Sequence, residues 1–288
     1  MSEKEQNAEI AQKPKKAGRD RFNLLDSPVF GVAVVILFAL GIVLLPGEKL
    51  GALMLGKKGT DAASLGNAIF RALGFVVLGL LALDLGFGIF GFKGRGKGFL
   101  LSLPFVAVAV NNAPLVGLIG GEVSVHAGGV SVLLFALYCA SVGLFEEIVF
   151  RGIVFPLVLR KMGSTRKGIF WSVIISSALF GAIHVVNFFS SAPGAVVLQI
   201  GYSFLIGAMC AMVMLLCRNV FACAALHAGF NFAGLIADEL GTGQVWNAVN
   251  ITLTAAVGAL AILYGVFVMV KIVRPDEKLK LLYNAKKD

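Results

Sequence analysis

Three short patterns place costly polar groups inside apolar stretches of this 288-residue chain. The first is Glu146-Glu147-Ile148-Val149-Phe150-Arg151, two adjacent carboxylates and a guanidinium. In the second, Phe180 is followed four residues later by His184; in the third, His227 is followed four residues later by Asn231. On a helix Glu147 and Arg151 share a face and can pair, whereas Glu146 is turned about 100° from Glu147. The pair neutralises one carboxylate and leaves the other to be used. A free carboxylate, two imidazoles and an amide suit peptide hydrolysis, which needs a base for water and donors for the tetrahedral oxyanion. A carboxylate removed from water is also a stronger base than in solution. No Ser–His–Asp set or activated Cys stands at comparable positions, so no covalent nucleophile is implied. A helix-clamping ion pair or a hydrogen-bonded packing histidine would explain any one pattern alone. Three helices each carrying such groups call for a common reason.

The elements that carry these residues are membrane spans. The chain is 58% hydrophobic and only 14% charged, against about 25% charged in an ordinary soluble protein. The first 26 residues hold 11 of the 41 charges and residues 271–288 hold 9, leaving 21 for the 244 residues between. A water-soluble domain of that size could not cover its surface with so few, so soluble enzymes and nucleic-acid binders are excluded. The expected fold is all-α, a polytopic membrane helix bundle. Eight apolar runs are long enough to span: about 28–46, 67–92, 99–120, 131–159, 168–189, 195–217, 219–237 and 248–270. They are continuous and do not alternate with period two, which favours helices over a barrel. Twenty of the 25 basic residues fall in the two tails and in loops two, four and six. That distribution predicts that both termini are cytoplasmic. Residues 1–27 read as a disordered cytoplasmic tail, 28–120 as three N-terminal spans, 131–237 as the core, 248–270 as an eighth span and 271–288 as a basic tail.

Other polar groups in these runs have simpler readings. Arg71 lies near the outer end of the second run and can snorkel to the interface. Asp84 can reach the inner interface or pair with a neighbour. Asn111 and Asn112, before Pro114, suit hydrogen bonding between helices, and His126 belongs to a solvated loop. The four cysteines form no C-x-x-C pair and read as small hydrophobes. Gly86-Phe87-Gly88-Ile89-Phe90-Gly91 matches a dinucleotide fingerprint, but no strand precedes it and no acidic residue follows at the required distance. Packing glycines are the better reading.

Taken together, Glu-Glu-x-x-x-Arg at 146–151, Phe-x-x-x-His at 180–184 and His-x-x-x-Asn at 227–231 resemble the CPBP family of intramembrane endopeptidases. That family comprises CAAX prenyl proteases of type II and bacteriocin-processing relatives. The resemblance spans roughly residues 131–237. It implies that Glu146 and His184 activate the attacking water and that His227 and Asn231 orient and stabilise the oxyanion. Glu147 and Arg151, with Phe180, would hold the site's architecture. Glu146, His184 and His227 could instead ligate zinc, although no H-E-x-x-H is present and the three are spread over three helices. The resemblance further implies a membrane-bound peptide or protein substrate, prenylated or otherwise hydrophobic. The remaining expected partner is the lipid bilayer, with no nucleic acid, in a multi-pass protein of a prokaryotic plasma membrane. Two non-proteolytic readings compete: a membrane immunity or regulatory protein of the same fold, and a transporter using the buried carboxylate as a proton site. Geometry sets a condition on the peptidase. At 1.5 Å per residue, His227 lies about 14 Å from Arg218 and His184 about 25 Å from Lys167, so their helices must protrude or tilt unequally to meet.

Overall fold

The computed structural model describes residues 27–91, 96–163, 165–243, 245, 247–275 and 282. The expected tails at 1–27 and 271–288 therefore fall almost wholly outside the described residues. The remainder is nearly all helix. In chain order the elements are α1 (Pro28–Val43), α2 (Gly47–Leu55), α3 (Thr60–Asp84), α4 (Gly96–Asn111), α5 (Leu115–Gly120) and β1 (Val123–Val125). They continue with α6 (Gly129–Met162), α7 (Arg166–Phe189), α8 (Pro193–Cys217), α9 (Val220–Leu240), β2 (Gly241–Gly243) and α10 (Ala248–Ile272). This is an integral, multi-pass membrane bundle.

Span number and boundaries differ from the eight equal runs expected. Six described helices are long and apolar enough to cross a bilayer, and α1 with α2, bent by 40°, makes up to seven. The expected run at 99–120 is broken. Helix α4 stops at Asn111, and Pro114 starts a separate six-residue turn, α5, closed by Gly121 in the left-handed region. The second run starts at Thr60 rather than 67, because α2 and α3 pack backbone to backbone. A methyl group on Gly51 would strike the carbonyl of Ala62, and one on Gly66 the carbonyl of Gly47. Small residues four apart on both helices permit that approach.

Loop contacts sort the bundle into two ends. The β1–β2 ladder and the His126 N–H donating to the Leu240 carbonyl join the loops at 121–128 and 241–243. At the opposite end Val220 N–H donates to the Ile89 carbonyl, Gly91 N–H to that of Arg218, and the Arg166 guanidinium to that of Val270. The 86–91 glycine stretch is thus a docked connector, with Phe87 and Ile89 buried. The end holding Arg160, Lys161, Arg166 and Arg218 is here called the basic end. Packing is dense toward it: Gly168 to Gly181 on α7 and Ile206 to Cys217 on α8 supply most of the buried positions of those helices. Toward the other end the last turns of α7 bury nothing. The four cysteines are all buried in the bundle and none is joined to another by a disulfide.

Candidate active site

Helix α6 is 34 residues long, and its hydrogen bonding widens into a π-helical stretch over Ile148–Val154, directly after the two glutamates. Such stretches recur at functional sites because they rotate the following side chains relative to the preceding ones. Arg151 lies inside this stretch, and its Nη1 donates to Glu147 Oε1 at 3.2 Å. Both side chains are 0% exposed. The expected i, i+4 pair forms, and it is sealed from solvent. The guanidinium also lies over the Phe180 ring at 4.6 Å and near the Phe150 ring at 5.9 Å. Its Nε and Nη2, and Glu147 Oε2, have no hydrogen-bond partner.

Glu147 has a second task. His227 Nδ1 lies 2.8 Å from Glu147 Oε1, and since an ionised carboxylate only accepts, Nδ1 carries the proton. The imidazole is therefore held with Nε2 turned the other way, toward Glu146 Oε2 at 3.7 Å. That separation exceeds a hydrogen bond, yet one water molecule can touch both atoms. Glu146 is the more accessible carboxylate, with its side chain 21% exposed. The 100° turn between neighbouring residues sends one glutamate into the protein and its neighbour into a cavity.

His184 is placed by the same logic. Its Nδ1 lies 2.9 Å from the Phe180 carbonyl, which can only accept, so Nε2 is the nitrogen left for chemistry. Phe180 packs edge-on against both imidazoles, at 5.3 Å to His184 and 5.6 Å to His227. One aromatic ring thus spaces two histidines and roofs the buried arginine. A cavity of about 290 Å³ is lined by Glu146, His184, His227 and Asn231 among others. The three motifs meet despite the unequal depths anticipated from helix rise, on a 34-residue α6 and with His184 at the start of the 3-10 winding of Ile183–Phe189. All seven residues singled out from the sequence meet at this cavity or directly behind it.

Zinc fits less well. Glu146 and His227 face one another, but among the described residues no three His, Cys, Asp or Glu side chains gather as a metal-binding set. His184 is not joined to the other two by any polar contact. The residues as placed do not fit a resident zinc ion.

Other polar residues go where simpler physics sends them. Asn111 donates to Thr254 Oγ1 at 3.1 Å and Asn112 to the Phe230 carbonyl at 2.8 Å, both between helices. His126 is exposed and hydrogen-bonded to Ser124 and Thr242. Asp84 is exposed at the end of α3. Arg71 departs from expectation: it is 8% exposed and lines the same cavity. Starting α3 at Thr60 puts Arg71 eleven residues, about 16 Å, into the helix, too deep to snorkel. The signal that could have found it was the small-residue spacing of Gly47, Gly51, Ala62 and Gly66, which extends α3 toward its N-terminus.

The described residues form a membrane-type helix bundle with carboxylates and imidazoles gathered among aromatic rings. Residues 128–233 match the family model described as type II CAAX prenyl endopeptidase Rce1-like. That segment is a little over a third of the chain, and the match supports the CPBP family of intramembrane proteases. No curated protein and no solved structure matches the chain.

Proposed function

We propose that the chain hydrolyses a peptide bond of a membrane-associated, hydrophobic or prenylated peptide by means of a water held between Glu146 and His227. The observation carrying this reading is the 3.7 Å approach of Glu146 Oε2 to His227 Nε2, with His227 Nδ1 fixed from behind by Glu147. Glu146 removes a proton as the water oxygen attacks the scissile carbonyl carbon, and later delivers it to the departing amine nitrogen, so no proton is lost or gained. The water's second hydrogen is shared between the Nε2 atoms of His227 and His184, which hold the water on course. Asn231, one turn beyond His227 in the same wall, donates its amide N–H to the oxyanion. Glu147 and Arg151 lie behind the cavity wall and fix His227, and Phe180, itself in the wall, spaces the two imidazoles.

The hydrogen bonds shift one role. With its Nδ1–H committed to Glu147, His227 can stabilise an oxyanion only after gaining a second proton, so it first acts on the water.

The cavity's lining reaches from Phe150 and His227 in the densely packed half to Asn187, Gln199 and Leu235 near the end opposite the basic loops. With the basic loops cytoplasmic, this supports entry of the substrate from the side away from the cytoplasm. Glu146→Ala and His227→Ala test the function when abundance in the membrane and processing of a candidate substrate are followed together. Loss of processing at normal abundance is expected. Retained function in both stable variants would leave a binding protein of the same fold.

A further inference from the structure

Arg71 sits outside the matched segment, on α3, and no role assigned above requires it. Its side chain is more than nine-tenths buried, and its Nε has no hydrogen-bond partner. Its contacts among the described residues are weak: a long Nη1 hydrogen bond of 3.4 Å to the Asn67 carbonyl, and the Tyr138 ring 5.2 Å from the guanidinium carbon. Among the described residues no carboxylate lies within 4.0 Å of it, in contrast to Arg151. A guanidinium this deep in an apolar bundle carries a large desolvation penalty unless an anion meets it. Both Arg71 and Tyr138 line the cavity that holds Glu146 and His227.

Several other polar groups are met within the bundle. The Arg151 charge is met by Glu147, the hydroxyls of Ser141, Ser172, Ser176 and Ser177 donate to carbonyls of their own helices, and Asn111 and Asn112 tie helices together. Among the described residues Arg71 alone combines a buried charge, an unused donor and access to the cavity.

We propose that Arg71 is a substrate-recognition residue that binds a carboxylate of the peptide through its guanidinium, with Tyr138 stacked beneath it. A planar guanidinium forms two parallel hydrogen bonds to a carboxylate, which its ring-backed, half-satisfied state leaves it ready to make. Tyr138 precedes Glu146 by eight residues on α6, a rise of about 12 Å. The bound carboxylate and the hydrolysed bond therefore belong to separate parts of one peptide lying along α6. The ligand is called a substrate because of the peptidase reading, but its binding can be measured without turnover.

The test uses the full-length protein in nanodiscs of neutral phosphatidylcholine. Dye-labelled apolar tripeptides serve as probes in three forms: a C-terminal acid, a C-terminal amide, and an amide bearing one internal aspartate. Fluorescence anisotropy of wild type is expected to give at least tenfold tighter binding of one carboxylate-bearing probe than of the plain amide. Preference for the acid identifies a chain terminus, and preference for the aspartate probe a side chain. Arg71→Gln should erase that preference while leaving amide affinity unchanged, and Arg71→Lys should keep part of it. Equal binding of all probes by wild type, no binding of any, or a preference that survives Arg71→Gln would each overturn the proposal. So would anionic phosphatidylglycerol abolishing the acid preference in wild type, since the anion would then be a lipid phosphate. Glu146→Ala should retain the preference. If that variant also processes substrate normally, the peptidase reading falls while Arg71 keeps its role.

Discussion

Removing Arg151 alone should unfold more of this protein than removing it together with Glu147. Both side chains are 0% exposed and 3.2 Å apart. Replacing the guanidinium with an apolar side chain in Arg151→Met leaves the Glu147 carboxylate buried with only His227 beside it. Breaking a buried pair from one side typically costs about 3–5 kcal/mol. Glu147→Leu strands the opposite charge and should cost a similar amount. Replacing both removes two desolvated ions, and such exchanges range from neutral to stabilising. The double variant Glu147→Leu/Arg151→Met should thus be more stable than either single variant, by about 2 kcal/mol or more. Reversible unfolding in mixed detergent micelles, run as a double-mutant cycle, measures these differences. Single variants costing under about 1 kcal/mol, or a double variant costing their sum, would show that the pair is not desolvated as described. Activity should not follow stability here. The double variant deprives His227 Nδ1 of its acceptor, so the ring is no longer held toward Glu146 and turnover stays low.

Glu146→Gln should leave the unfolding midpoint close to wild type, because its side chain is partly exposed and makes no hydrogen bond to the rest of the site. His184→Ala should lower turnover by about 100-fold or more, as loss of a proton-handling group does, with little change in unfolding. Gly51→Leu should destabilise by about 1–3 kcal/mol or more through overpacking, and also weaken activity because Arg71 rides on the displaced α3. Processing should persist in a zinc chelator, measured with purified protein, since the candidate donors do not gather as a metal site. A cysteine at Gln199 should react with a membrane-impermeant maleimide from outside intact cells; labelling only after lysis would reverse the orientation.

The pairing of Glu147 with Arg151 was legible because it depends on helix periodicity alone. So was the separation of Glu146 from Glu147, which one 100° step dictates. The convergence of the three motifs was not derivable from periodicity, because it depends on how α6, α7 and α9 pack against one another and not on the spacing within any one of them. The hydrogen bond between Glu147 and His227 was hidden for a related reason: residues 80 positions apart meet only through tertiary packing. Arg71 was misread because hydropathy alone began its helix at 67, seven residues late. A run of apolar residues marks where a span is greasy, while backbone contacts between glycines decide where it starts.

The proposed reaction is the cutting of a peptide by a water held between Glu146 and His227. It is tested most directly by comparing peptide termini, by mass spectrometry, in membranes from cells carrying wild type or Glu146→Gln at equal abundance. New termini generated by the wild-type protein should vanish in the variant, with the uncut precursor accumulating. An unchanged set of termini, with the variant folded and present in normal amount, would contradict it.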